Sequence, residues 1–183
     1  GTEPAAEKYL NFLDKWKKSV TNRVLGISPE QVPTVYAEGY SDYAGQGKNS
    51  GTDLLITLAK GKNLAGDLGE QWPKVTPEWI VSEDPHVIMK VVTVKPEKTL
   101  DQVRSDLFSR TGFETLSAIK NNRVYVMNGD LAFGPRSPVG LVYIARMLHP
   151  EKFSDISPSD VLKEYADTFV SGMETGEYFS PVL

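Results

Sequence analysis

Two loops gather the residues whose types could grip a ligand. Residues 39–51 carry Gly39, Gly45, Gly47 and Gly51 around Tyr40, Asp42 and Tyr43. A tyrosine on a loop offers a flat apolar face with a polar tip, which suits stacking on a bulky planar or chelated ligand. Residues 128–137 place Phe133 near Arg136, an aromatic wall beside a cation, and that pair favours an anionic ligand. The run Gly45-Gln-Gly47-Lys-Asn-Ser-Gly51 also resembles a nucleotide-binding glycine loop, since it follows a strand and opens a helix. Its G-x-G-x-x-x-G spacing is one residue off the dinucleotide fingerprint, and no Gly-Lys-Ser/Thr follows at the P-loop interval. A nucleotide-binding enzyme domain built on Gly45–Gly51 therefore stands as the rival to a flexible ligand-contact loop.

Other chemistries are poorly supplied. The 183 residues contain no cysteine, which removes thiolate nucleophiles, disulfides and zinc–thiolate sites. The two histidines, His86 and His149, sit where a strand starts and a helix ends, so no metal-ligand set is assigned. No serine, histidine and carboxylate triad assembles, and the acidic residues show no pairing that selects a general acid and base. Glu78 falls in the first turn of a helix, where the dipole alone accounts for a carboxylate. No catalytic residue and no intrinsic cofactor is expected. A net charge of −4 without a basic run argues against nucleic acid, and no apolar stretch is long enough to cross a bilayer.

The elements that must position these loops alternate. Tyr9, Leu10, Phe12, Leu13, Trp16, Val20 and Val24 recur at helical spacing and predict a long amphipathic helix ending at Gly26. A short β-rich run from Pro33 to Glu38 leads through the first loop to a helix with Ser50 and Asp53 in a capping pattern, stopped by Gly61. Thr76 and Pro77 open another helix, ended by Pro85. His86–Val94 reads as a strand covered on both faces. Helices follow around Leu100–Phe108 and Phe113–Ile119, then a strand from Arg123 to Met127, and helices opened by Ser137-Pro138 and Ser157-Pro158. Strands separated by helix-long crossovers predict an α/β three-layer sandwich with a mainly parallel sheet. Ligands in such sheets sit beyond the carboxyl ends of the strands, where both loops would lie.

Two stretches then resemble a known family. Trp72-Pro-Lys-Val-Thr-Pro-Glu78-Trp-Ile-Val-Ser-Glu-Asp-Pro85-His-Val-Ile is similar to the pattern W-x-x-V-S-x-E-x-(L/I), followed by a proline and an apolar strand. The segment from Gly112 to Val126, with Gly134-Pro-Arg-Ser-Pro138 and Leu148-His-Pro-Glu-Lys-Phe153, is similar to a second motif of the same family. The family is that of the periplasmic binding proteins serving iron-siderophore, haem and vitamin B12 ABC importers, of the helical-backbone class, and the likeness is to their carboxyl-terminal lobe. The resemblance implies that residues 1–26 are the end of the helix joining two lobes and that 27–183 form the carboxyl-terminal lobe, without the amino-terminal one. It implies a substrate-binding component that captures a metal chelate and hands it to permease subunits. A ferric siderophore comes first as the ligand, an iron(III) chelate, with haem or a corrinoid next. Glu78 matches the glutamate that docks on the permease. Trp72 matches a cleft aromatic, and Tyr40, Tyr43, Phe133 and Arg136 occupy the loops used for ligand contact. The expected setting is extracytoplasmic, in the periplasm or on the outer face of the cytoplasmic membrane, as a monomer with a lipid anchor in the full-length protein. A ligand-sensing receptor domain on the same fold is a third reading.

Overall fold

The computed structural model describes residues 3–93, 97–170, 172–173 and 176–183. Strands β1 (Thr34–Glu38), β2 (Lys62–Asn63), β3 (Val87–Val92), β4 (Val124–Asn128) and β5 (Phe179–Ser180) form one sheet in the order β2-β1-β3-β4-β5. The first four run parallel, and β5 adds to the edge antiparallel to β4. The expected end of β3 at Val94 lies outside the described residues, as do the first two residues of the opening segment.

The central strands are buried on both faces, which is why they read as apolar runs rather than alternating ones. Val35, Ala37, Val87, Met89, Val91 and Met127 face one core with helices α1 (Glu3–Val24), α2 (Gly51–Leu58), α7 (Ser137–Leu148) and α8 (Pro158–Phe169). Tyr36, Ile88, Val92, Val124 and Val126 face a second, covered by α3 (Pro77–Glu83), α4 (Leu100–Phe108) and the short α5 (Ser117–Lys120). A one-turn α6 (Gly129–Ala132) follows β4 directly. The architecture is a three-layer α/β/α sandwich with a mainly parallel sheet.

Local signals place most boundaries. Ser50 accepts a hydrogen bond from the Asp53 N–H at 3.1 Å and Thr76 one from Trp79 at 3.2 Å, so both caps form as their residue types predict. Helix α2 ends earlier than Gly61 implies. Lys60 takes the left-handed conformation at φ 58°, and the Gly61 N–H reaches back to the Ile56 carbonyl at 2.9 Å, closing the helix in a Schellman turn. Gly61 is small for another reason, since a Cβ there would fall 2.7 Å from Leu148 Cδ1. Ser137 is not the cap of α7; that position belongs to Arg136, and Ser137 is already helical. The amphipathic stripe of α1 is narrower than its apolar residues suggest, because Leu10 stays exposed while Phe12, Val20 and Val24 are buried.

Helices α6 and α7 approach so closely that Gly140 has no room for a side chain: its Cβ would lie 2.0 Å from the Leu131 carbonyl oxygen. Gly140→Ala is therefore expected to destabilise the fold by about 2–3 kcal/mol, in spite of alanine's better helix propensity. Urea unfolding at pH 7 measures this, and a neutral or stabilising result would show that the two helices can separate at little cost.

Candidate functional site

The carboxyl end of β1 carries Glu38, with no solvent exposure, and the facing residue in β3 is Lys90, 7% exposed. Parallel register puts the two side by side on the same sheet face, and their charged atoms meet at 2.5 Å. Arg110, just past α4, closes on the same carboxylate with both terminal nitrogens at 2.8 Å. Asp42 completes the group from the loop, accepting from Lys90 at 3.0 Å and from Arg110 at 2.7 Å. Burial by itself would push the Glu38 carboxyl up; the Arg110 hydrogen bonds and the Lys90 charge outweigh it and hold the group below the usual carboxylate range.

This cluster fixes the first loop. Glu38 accepts from the Tyr43 N–H at 2.9 Å and Lys90 donates to the Gly39 carbonyl at 3.2 Å. Arg110 lies over the Tyr43 ring, 4.7 Å from its centroid. Tyr43 itself has φ 61° and packs against the second core. Residues 38–43 are thus pinned from below, and Tyr40 points outward, 52% exposed, with Ser41 and Asp42 beside it at the surface.

Tyr40 is one wall of a depression of about 300 Å³ at the carboxyl ends of the strands, shared with Ser41, Ala44, Gln46, Trp72, Phe133 and glycines 39 and 45. Both loops therefore meet at one end of the sheet. A Cβ on Gly129 would fall 2.7 Å from the Tyr40 hydroxyl, and one on Gly51 would fall 2.7 Å from Phe133 Cδ1, so each loop rests an aromatic ring on a glycine of the other's helix start. Trp72 is 52% exposed and presents most of its ring to the depression and to solvent.

The glycine loop is not a phosphate cradle. Gly45 donates to Pro73 O at 2.7 Å, Gln46 to Ala37 O at 2.8 Å, Gly47 to Gln71 O at 2.9 Å and Lys48 to Glu70 O at 2.9 Å. Asn49 donates to the Asp53 carboxylate at 3.0 Å and Ser50 to Gly47 O at 3.1 Å. Every backbone N–H from 45 to 50 is spent inside the protein, whereas a nucleotide site needs such groups free and convergent. Glycine is required at 47 because a Cβ would stand 2.2 Å from the Glu70 carbonyl. The rival nucleotide reading fails on this geometry, and the loop is a fixed ladder rather than a flexible one.

Of the residues singled out from sequence, the structure brings Tyr40, Trp72 and Phe133 together and turns two others away. Tyr43 is taken up by Arg110 and the core. Arg136 pairs with Asp130 on α6 and lies 5.9 Å from the ring centres of both Tyr165 and Tyr178; it does not line the depression. The expectation of a cation beside Phe133 is thereby corrected, because the carboxylate six residues earlier already neutralises it. Glu78 is exposed in the first turn of α3, and its own N–H and the Thr76 hydroxyl keep its carboxyl below the usual range. His149 is buried against the carbonyls of Ala59 and Lys60, and His86 accepts from the Thr34 N–H at 3.0 Å; among the described residues no group of metal-ligating side chains forms. Sequence reasoning missed Glu38, Lys90, Arg110 and Gln46. A signal existed for the first three: a lone lysine inside an otherwise apolar buried strand must find an anion.

Removing one member of the cluster leaves a buried charge without its partner. Arg110→Met is expected to cost about 3–5 kcal/mol in urea unfolding at pH 7. A cost below about 1 kcal/mol would mean the cluster behaves as a surface pair. Because the Glu38 carboxyl is depressed in the fold, the unfolded chain binds its proton first as pH falls. The stabilisation is complete above about pH 4.3 and is withdrawn as pH drops through the folded value. Glu38→Gln should lower stability at neutral pH and flatten this acid limb, which unfolding curves from pH 7 to about pH 3 would read.

A protein-family model described as periplasmic binding protein matches residues 1–131. An ABC transporter substrate-binding lipoprotein of Bacillus subtilis strain 168, YvrC, itself uncharacterised, is 26% identical over 160 residues, covering 85% of this chain and 48% of that protein. Among solved structures, the TroA-like periplasmic binding protein FepB of Veillonella parvula superposes with a TM-score of 0.87 at 25% identity, over all of this chain and 58% of that one. The molybdate-bound periplasmic binding protein MolA of Haemophilus influenzae shares the fold at TM-score 0.74 and 20% identity, over 92% of this chain and 51% of its own. The CeuE protein of Helicobacter pylori, in a nickel–histidine complex, does so at TM-score 0.74 and 21% identity, over 90% and 52%. The chain spans about half the length of the relatives it matches. By the model that matches most of its length, the chain belongs to the periplasmic binding protein family.

Proposed function

We propose that the chain is the carboxyl-terminal lobe of the substrate-binding component of an ABC importer, with residues 1–26 ending the helix between two lobes and 27–183 forming the lobe. The observation that carries this reading is the open depression where Tyr40, Trp72 and Phe133 converge at the strand ends, walled by aromatic rings and, among the described residues, without an acid, base or nucleophile set for chemistry. Such a surface grips and releases. An open half-site of this kind is completed by a facing lobe, consistent with a chain about half as long as its relatives.

The ligand is a metal chelate, a ferric siderophore ahead of haem or a corrinoid. Delivery is to permease subunits. Helix α3 leads back to the start of β3, so its first turn stands at the ligand end of the sheet. The ionised Glu78, exposed in that turn, supports reading it as the group that makes a charge-assisted contact with a basic permease surface. The protein works outside the cytoplasmic membrane as a monomer held by a lipid anchor, and it makes and breaks no bonds.

Titrating the protein with a ferric siderophore, haemin and cobalamin while following tryptophan fluorescence tests capture directly. Tyr40→Ala should weaken binding of whichever chelate is taken by about tenfold, as the loss of one stacking ring implies. Tight, magnesium-dependent binding of ATP or NAD, with no response to any chelate, would overturn the reading. Glu78→Ala should leave chelate affinity unchanged and lower transporter-coupled uptake; undiminished uptake would return Glu78 to a purely helix-capping role.

A further inference from the structure

Trp72, a wall of the depression, and Glu78, in the first turn of α3, stand six positions apart on one segment, and that segment is tied down along its length. Residues 71–75 ladder onto the first loop: Gly47 donates to Gln71 O at 2.9 Å, Gly45 to Pro73 O at 2.7 Å and Val75 to Tyr43 O at 2.9 Å. Thr76 caps α3 directly after the last of these bonds. The far end of α3 is fixed as well. Asp84, left-handed at φ 41°, accepts from the Ser117 N–H and from its hydroxyl, both at 2.7 Å, before the chain enters β3. With that end held, a displacement of the first turn has to pass into the ladder or into whatever the turn packs on.

What it packs on is the head of a buried polar chain. Trp79, beside Glu78 and half-buried, meets the Tyr36 ring edge-on, with 6.1 Å between centroids and 70° between planes. Tyr36 has no solvent exposure and shares a sheet face with Glu38 two residues on, and its hydroxyl donates to Glu38 Oε2 at 3.1 Å. The same oxygen accepts from the Tyr43 N–H at 2.9 Å and from Arg110 at 2.8 Å. Burial first, then the Glu38 charge, hold the Tyr36 phenol far above its usual range, so it remains a donor wherever the fold persists. The first turn of α3 thus reaches the Tyr40 loop by two routes, one through backbone and one through Trp79, Tyr36 and Glu38. Neither Trp79 nor Tyr36 lines the depression.

Resting on the capture-and-delivery reading, we propose that Trp79 and Tyr36 are positioning residues: through Glu38 they hold the Tyr40 wall in place and tie it to the turn of α3 that carries Glu78. A permease subunit seated on that turn then acts on the ligand half-site without touching it. By linkage, an occupied half-site alters how the turn receives the permease.

Tyr36→Phe keeps the ring and removes only the donor. Followed by amide hydrogen exchange at pH 7 without ligand, it should speed exchange of the Tyr43 N–H about fivefold, as the loss of one hydrogen bond implies, and leave the Gly47 and Lys48 amides of the ladder unchanged. Trp79→Leu, which only unseats Tyr36, should speed the same amide about threefold. Binding is then read with a ferric siderophore, haemin and cobalamin by fluorescence of the remaining tryptophans. Each substitution should weaken the chelate that binds about threefold, and have no effect when Tyr40 is already alanine, because its action passes through that ring. Equal losses with and without Tyr40 would overturn the proposal, since a general loosening of the lobe acts alike in both backgrounds. So would a Tyr43 amide that exchanges as before in either variant. If Tyr43 exchange rises and no chelate binds, the tie between α3 and the loop stands and the chelate reading falls.

Discussion

A carboxylate with no solvent exposure, placed between the ends of two buried strands, would in isolation be neutral or expelled. Glu38 is neither, because Lys90 faces it in register and Arg110 reaches it from beyond α4. The consequence is mechanical as much as electrostatic. Burying these charges gives little net stability against an apolar equivalent, yet the directional hydrogen bonds leave the chain after β1 one way to turn. The Gly39 carbonyl, the Tyr43 N–H and Asp42 are all committed to the cluster, and the outward aim of Tyr40 follows from those commitments.

The remainder of the site is built by close approach. Ladder bonds join residues 45–48 to 70–73, and this brings Trp72 alongside Tyr40 although more than thirty positions separate them in sequence. On the other side, Phe133 rests on Gly51 and Tyr40 on Gly129, so neither loop could keep its course if the partner glycine carried a side chain. Three aromatic residues from three segments meet because backbone, not side-chain affinity, draws the segments together.

The layered parallel sheet was legible because burial on both faces leaves a mark that survives without coordinates: Val87–Val92 and Val124–Met127 could hardly be read otherwise. Caps at Ser50 and Thr76 were legible for the same local reason. The two-residue strand β2 and the antiparallel edge β5 were not, since strands that short carry no periodicity. Within the site, Tyr40 and Phe133 could be named from residue type and place in the two loops, and Trp72 from the family motif that it opens. Whether Tyr43 and Arg136 join them depends on Arg110 and Asp130, partners whose proximity is a product of the fold and, for Arg110, of a segment far along the chain. The glycine run shows the opposite failure. Its composition suggests freedom, whereas Gly47 is glycine because the Glu70 carbonyl leaves no space. Composition reports that a side chain is absent and is silent on what occupies its place.

That ladder across residues 45–50 also bears on how new specificities could arise on this scaffold. With its amides all engaged, the segment has little room to remodel, so variation at this end of the sheet is channelled toward exchange of the protruding rings. Relatives of this protein that carry the same ladder should therefore differ in what they recognise through a handful of replaceable tips mounted on a conserved backbone course, and insertions in this stretch should be rarer than in an ordinary surface loop.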